Sequence, residues 1–201
     1  MVYELIELGD QTGRAALPPR MQALSSEAGE IWDRCQARRE FRGFVAADYE
    51  EIYQVLVQLQ GRVANVLEWG SGLGVITIMA SSLGFDACGI EIESQLVDLS
   101  RGLAERYGPQ ARFATGNFIP DDYEWSPEYG DGDFRTASEA ASGYEELDME
   151  LRDFDLVYAY PWPNEQPMYR DIMQKCGGRN SLYLGYDARE GTILSRFGRC
   201  P

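Results

Sequence analysis

The sequence predicts an α/β protein built on a doubly wound, mostly parallel sheet, and three observations predict it. From residue 63 onward, short apolar runs alternate with helix-length amphipathic segments. The helices stop at glycines, at Gly61, Gly84, Gly108 and Gly177, the residue that best accepts the backbone turn after a helix. A strand ending in Glu68 runs directly into Gly70, Gly72 and Gly74, a tight turn between a strand and its crossover helix. With 201 residues, the chain is long enough to bury about 70% of its unfolded surface in one core, and too short for two full domains.

Residues 1–19 carry a short apolar strip (Leu5, Ile6, Leu8), then Gly9, Gly13 and Pro18-Pro19, and are expected to form a loosely packed arm. Residues 20–61 are expected to form a helical cap. Met21, Leu24, Ala28, Ile31, Trp32 and Cys35 recur three and four apart, which puts them on one helix face. Asp48 followed by Glu51 is a capping box, opening a helix that buries Ile52, Val55, Leu56 and Leu59.

The α/β domain then covers residues 62–201. Strands are predicted at 63–68, 87–92, 111–115, 154–160 and 181–186, with helices at 75–82 and 95–107. A last helix is capped by Asn164 and turns Met168, Tyr169, Ile172, Met173 and Cys176 inward. Fifteen residues follow Tyr186, too few on this reading for a strand hairpin, so the sheet is expected to be trimmed to five strands. Between the third and fourth strands, residues 120–150 hold eleven acidic side chains against Arg135 alone. Self-repulsion there predicts a flexible insertion, and a flap that attracts a cationic substrate is the functional alternative.

Charge and composition exclude several classes. Acidic residues number 33 against 18 basic ones, a net charge of -15, so no nucleic-acid partner and no anionic membrane surface is expected. Arg34, Arg38, Arg39 and Arg42 are interleaved with Asp33 and Glu40 and read as a solvated helix face. The four cysteines are scattered and the chain has no histidine, which predicts no metal site and a reducing compartment. The opening MVYELIELGD has no signal-peptide pattern, and no apolar run reaches the ~18 residues of a membrane span. A cytoplasmic protein is expected, its oligomeric state open.

The glycine turn has two nucleotide-binding readings. A dinucleotide fingerprint needs glycine or alanine at the third position, where this chain has Val75. An acidic residue followed by G-x-G-x-G, here Glu68 with Gly70, Ser71, Gly72 and Gly74, instead resembles class I S-adenosylmethionine-dependent methyltransferases. The resemblance implies a Rossmann-like sheet and S-adenosyl-L-methionine as cofactor. It places the glycines under the methionyl part and Glu68 toward its amino-acid end. It implies that Glu91, in Gly-Ile-Glu-Ile-Glu, holds the ribose hydroxyls, with Ile92 beside it and Glu93 as the rival acid. Asn117 takes the position that contacts the adenine amino group, where the family commonly has Asp, and Phe118 flanks the ring.

On the fourth strand, Tyr160-Pro161-Trp162-Pro163 resembles the Asp/Asn-Pro-Pro-aromatic motif of amino-group methyltransferases. That resemblance makes Tyr160, Pro161 and Trp162 the candidate catalytic residues, although Tyr160 lacks the acceptor oxygen of Asp or Asn. A proline-rich turn with a packed Trp162 is the structural alternative. Residues 41–49 and 154–163 also resemble the lysine methyltransferases related to the one that modifies the ATP synthase c-subunit, without their hydrophobic N-terminal segment. The expected activity is methyl transfer to an amine or other nucleophile, on a protein side chain such as lysine or on a small molecule. A non-catalytic domain that binds the cofactor or a partner protein is the alternative.

Overall fold

The computed structural model describes residues 3–7, 16–38, 47–124, 140–162, 165–187 and 191–197. Seven strands form one sheet: β1 (Tyr3–Leu5), β2 (Asn65–Trp69), β3 (Asp86–Glu91), β4 (Arg112–Thr115), β5 (Leu156–Ala159), β6 (Leu182–Asp187) and β7 (Gly191–Phe197). Their order is β1-β7-β6-β5-β2-β3-β4. Strands β2 to β6 are mutually parallel, while β7 runs antiparallel to both β6 and β1. The doubly wound α/β class expected from the alternation is therefore observed.

The strand count differs from the five expected. Strands β6 and β7 form a hairpin with register from Leu182↔Arg196 to Asp187↔Gly191. The connection takes only three residues, so most of the chain after Tyr186 is free to pair. The other addition comes from the N-terminal arm. Tyr3–Leu5 pairs with β7, and the Ile6 N–H extends the contact to the Leu194 carbonyl at 2.8 Å. A three-residue strand supported by a partner at the far end of the chain leaves no local periodicity to read.

Among the described residues, six α-helices accompany the sheet: α1 (Pro19–Cys35), α2 (Tyr49–Leu59), α3 (Val75–Ser82), α4 (Ser94–Tyr107), α5 (Tyr144–Leu147) and α6 (Gln166–Cys176). A prolyl ring at the first position starts α1, where no N–H is needed. The Asp48 carboxylate accepts the Glu51 N–H at 3.0 Å and starts α2. The expected cap of α6, Asn164, lies outside the described residues.

Two cores lie on opposite faces. On one, α1 to α4 bury Met21, Leu24, Val55, Leu56, Ile78 and Leu103 in one cluster with Val66 and Leu156 of the sheet. Each such side chain contributes ~1.5–3 kcal/mol of burial. On the other, α5 and α6 cover an aromatic cluster in which Trp69 stacks on Phe118 at 4.8 Å and 16°. The indole N–H of Trp69 donates to the Tyr144 hydroxyl at 2.8 Å, which satisfies the polar atom this ring carries into the core. Strand order reverses between β2 and β5, and in open parallel sheets ligands bind beyond the carboxyl ends of the strands at such a point.

Candidate active site

The turn between β2 and α3 stands at that switch point. Gly70, Gly72 and Gly74 have φ of 67°, 54° and 70°, values that side chains with a Cβ rarely adopt. The N–H groups of Gly70 and Ser71 both donate to the Ile90 carbonyl, at 2.9 and 3.0 Å, which folds the turn over the end of β3. A Cβ on Gly74 would lie 2.4 Å from the Phe113 ring, so this glycine also lets α3 approach β4. At Gly70 an added Cβ would meet nothing within 4 Å, leaving open space above the turn.

Glu91 ends β3 beneath this space. One carboxylate oxygen accepts the Gly72 N–H at 2.9 Å and the other the Glu93 N–H at 3.0 Å. Burial raises its pKa, partly countered by those N–H groups, while the charge of Glu93 raises it further. Of the two acids at the end of β3, Glu91 is buried against the turn, whereas Glu93 stands at the start of α4. Ile92 is an exposed aliphatic side chain, 36% accessible, next to the buried acid. The buried hydroxyl of Ser71 has no hydrogen-bond partner among the described residues.

Glu68 points into the α2–α3 face of the sheet. A single oxygen accepts both the Thr77 N–H, at 2.9 Å, and the Thr77 hydroxyl, at 2.5 Å. Burial pushes its pKa up to about 8, with the charge of Glu91 adding to the rise and the Thr77 bonds opposing it.

Asn117 and Phe118 are engaged within the protein. The Asn117 amide oxygen accepts the Ile119 N–H at 2.8 Å, and its NH2 donates to the Ala140 carbonyl. Its backbone pairs with the returning chain through Ala141 and Gly143. Gly116 makes that approach possible, because a Cβ there would lie 2.6 Å from the Ala141 carbonyl oxygen and the Gly143 nitrogen. Phe118 lies in the aromatic core, stacked on Trp69 and 5.1 Å from Tyr169.

The strand-end motif on β5 forms a separate aromatic corner. Tyr160 is 37% exposed and lies parallel to Tyr186 at 4.8 Å and 12°. Pro161 is buried and Trp162 half-buried. Burial raises the Tyr160 pKa, and so does Tyr186, so this phenol stays neutral at ordinary pH. Sequence reasoning missed Tyr186 and Thr77. The signal for Tyr186 was its place one residue beyond the Ala159↔Gly185 pair, level with Tyr160. Thr77 carried none, being the one polar residue in the apolar run 75–80.

The seven-stranded, mostly parallel sheet, with one reversed strand and a glycine turn at the switch point, matches a Rossmann-like methyltransferase fold. Solved structures with this fold include an RNA methyltransferase from Salinibacter ruber in complex with S-adenosyl-L-homocysteine. It is 17% identical over 79% of this chain and 97% of its own, with a TM-score of 0.52. A methyltransferase from Geobacter sulfurreducens is 11% identical over 98% and 100% of the two chains, TM-score 0.54. An O-methyltransferase from Bacillus cereus in complex with S-adenosyl-L-homocysteine is 15% identical over 87% and 69%, TM-score 0.52. At such identities the likeness is one of fold. Neither a family model nor a curated protein matches the chain.

Proposed function

We propose that this protein is an S-adenosylmethionine-dependent methyltransferase, acting on an amine or other nucleophile of a small molecule or of a protein side chain such as lysine. The observation that carries the reading is the Glu91–Gly72 hydrogen bond, which couples a buried carboxylate to the glycine turn below open space. These residues fit a nucleoside: Glu91 can accept from a ribose diol through charge-assisted bonds, and Ile92 offers an aliphatic wall to a base. The bound cofactor would supply an electrophilic methyl carbon on a sulfonium.

The chain's own residues would position the acceptor. In-line displacement depends on holding the nucleophile ~3–3.5 Å from the methyl carbon, and Tyr160, Pro161 and Trp162 are proposed as the wall that does so. A net charge of -15 disfavours polyanionic acceptors and attracts cationic ones. An amine must arrive or become neutral before attack, and the same acidic field opposes that deprotonation. Water or a group near Glu68 is proposed to take the proton.

Calorimetry with S-adenosylmethionine, S-adenosylhomocysteine and NAD tests the cofactor, with binding of the first two and not the third expected. Incubation with labelled methyl donor and cell extract tests transfer, with a labelled protein band or metabolite expected. Absence of binding to either adenosyl compound overturns the reading. Binding without any labelled product favours the non-catalytic alternative, which the loss of Asp or Asn at Tyr160 also supports.

A further inference from the structure

Beneath the glycine turn, on the α2–α3 face, three ionisable side chains share one region. Glu68 and Tyr158 are register partners on β2 and β5, so both side chains leave the sheet on the same face, on strands ~5 Å apart. Tyr49, the first residue of α2, packs against the same apolar cluster that holds Tyr158. Burial raises the Tyr49 pKa, as does the charge of Glu68. The Tyr158 phenol is raised by burial and then by Glu68, Tyr49, Tyr160 and Tyr183.

Two details coincide in this region. The Tyr158 side chain is 3% exposed, yet its hydroxyl has no hydrogen-bond partner among the described residues. Buried polar groups are nearly always paired, so an orphan calls for a partner that the protein does not itself provide. Glu68 shows a matching deficit: both Thr77 bonds fall on one oxygen. No ion pair to Glu68 forms among the described residues. An unpaired donor and a buried acid without a counter-cation, side by side, fit a ligand carrying both an anion and a cation, namely an α-amino acid, whose ammonium would restore the charged form of Glu68.

We propose that Tyr158 is a positioning residue that donates to the carboxylate of the cofactor's amino-acid end, while Glu68 takes its ammonium group and Tyr49, packed against the same cluster, flanks them. This rests on the cofactor reading above. It gives the zwitterion a phenol donor in place of a basic side chain, in keeping with the acidic character of the chain. It also explains why an expensive orphan is kept on a strand that otherwise faces aliphatic core.

The test is calorimetry on the full chain, comparing S-adenosylhomocysteine with 5′-methylthioadenosine, which keeps the nucleoside and sulfur but lacks the amino-acid end. Tyr158→Phe should weaken S-adenosylhomocysteine about 10-fold or more, the scale of a lost hydrogen bond to a charged group, and leave methylthioadenosine unchanged. The ligand-free melting temperature of Tyr158→Phe should equal or exceed that of the natural chain, because the hydroxyl removed has no partner. Glu68→Gln should also weaken S-adenosylhomocysteine selectively. If Tyr158→Phe changes both affinities alike, or neither, the hydroxyl serves packing or a buried water and the inference is overturned. If the natural chain binds neither compound, the cofactor reading itself fails; if it binds both equally well, only the inference does.

Discussion

The Glu91 carboxylate accepts the backbone N–H of Gly72 at 2.9 Å, so the acid at the end of β3 and the turn after β2 form a single unit. Glu91→Ala would leave two N–H groups, on Gly72 and Glu93, without their acceptor. It should weaken S-adenosylhomocysteine binding by about 10- to 100-fold, the range for lost charge-assisted bonds. Calorimetry checks the affinity, and circular dichroism checks that the variant remains folded.

Gly74→Ala should destabilise the fold by about 3 kcal/mol, combining ~1–2 kcal/mol for a positive φ with ~1–3 kcal/mol for overpacking. The added methyl meets the Phe113 ring, which is buried between α4 and β4 and has little room to retreat. Urea unfolding gives the magnitude. Gly70→Ala, strained in φ but facing open space, should cost less.

The buried Glu68 gives stability a definite pH dependence. Its folded pKa of about 8 lies above the ordinary 4.5, so the folded chain holds a proton that the unfolded chain has released. Stability from this group is therefore present below pH 4.5 and is lost as pH rises toward 8. Glu68→Gln cannot ionise, and its melting temperature should gain on that of the natural chain as pH increases through this window. Thermal melts at half-unit pH steps measure the difference, and a gap that stays constant would contradict the assignment.

Asn117→Ala should cost about 2 kcal/mol, because it orphans the Ile119 N–H and the Ala140 carbonyl together. Chemical denaturation measures it. Asn117→Asp keeps the acceptor for Ile119 and loses the donor to Ala140, so its cost should be intermediate.

Once an acceptor is known, Tyr186→Ala should raise its KM while leaving S-adenosylhomocysteine affinity within twofold. Removing the ring that lies against Tyr160 loosens the acceptor corner without touching the glycine turn. Steady-state kinetics beside calorimetry separate the two effects.

The parallel core of the fold was legible because its signals are local. Glycines at strand and helix ends, a capping aspartate and apolar periodicity all act within a few residues, and β2, α3, β3, α4 and β4 follow them closely. The edge was not legible: β1 draws its pairing from residues 195–197, beyond any window in which periodicity can be read. The site divides in the same way. Gly70, Gly72, Gly74 and Glu91 sit together at the ends of β2 and β3. Asn117 and Phe118 follow the end of β4 but turn their side chains to the returning chain at Ala140 and to Trp69, partners that no motif specifies. The pairing of Tyr158 with Glu68 depends on the register of β2 against β5, set by strands separated by the whole acidic segment.

The pairing of Tyr3 with Phe197 also orders events in time. On a ribosome adding ~5–20 residues per second, the strand that emerges first waits roughly ten to forty seconds for the last described strand to follow it. Until then the sheet can build from β2 to β6, but β1 has nothing to pair with. Even a finished β6–β7 hairpin would present bare N–H and C=O groups along its outer side, a template for another chain. β1 would thus cover this edge of the sheet only after β7 has formed. Shielding the first residues with a bulky N-terminal fusion should leave the parallel core intact while making the released protein prone to self-association.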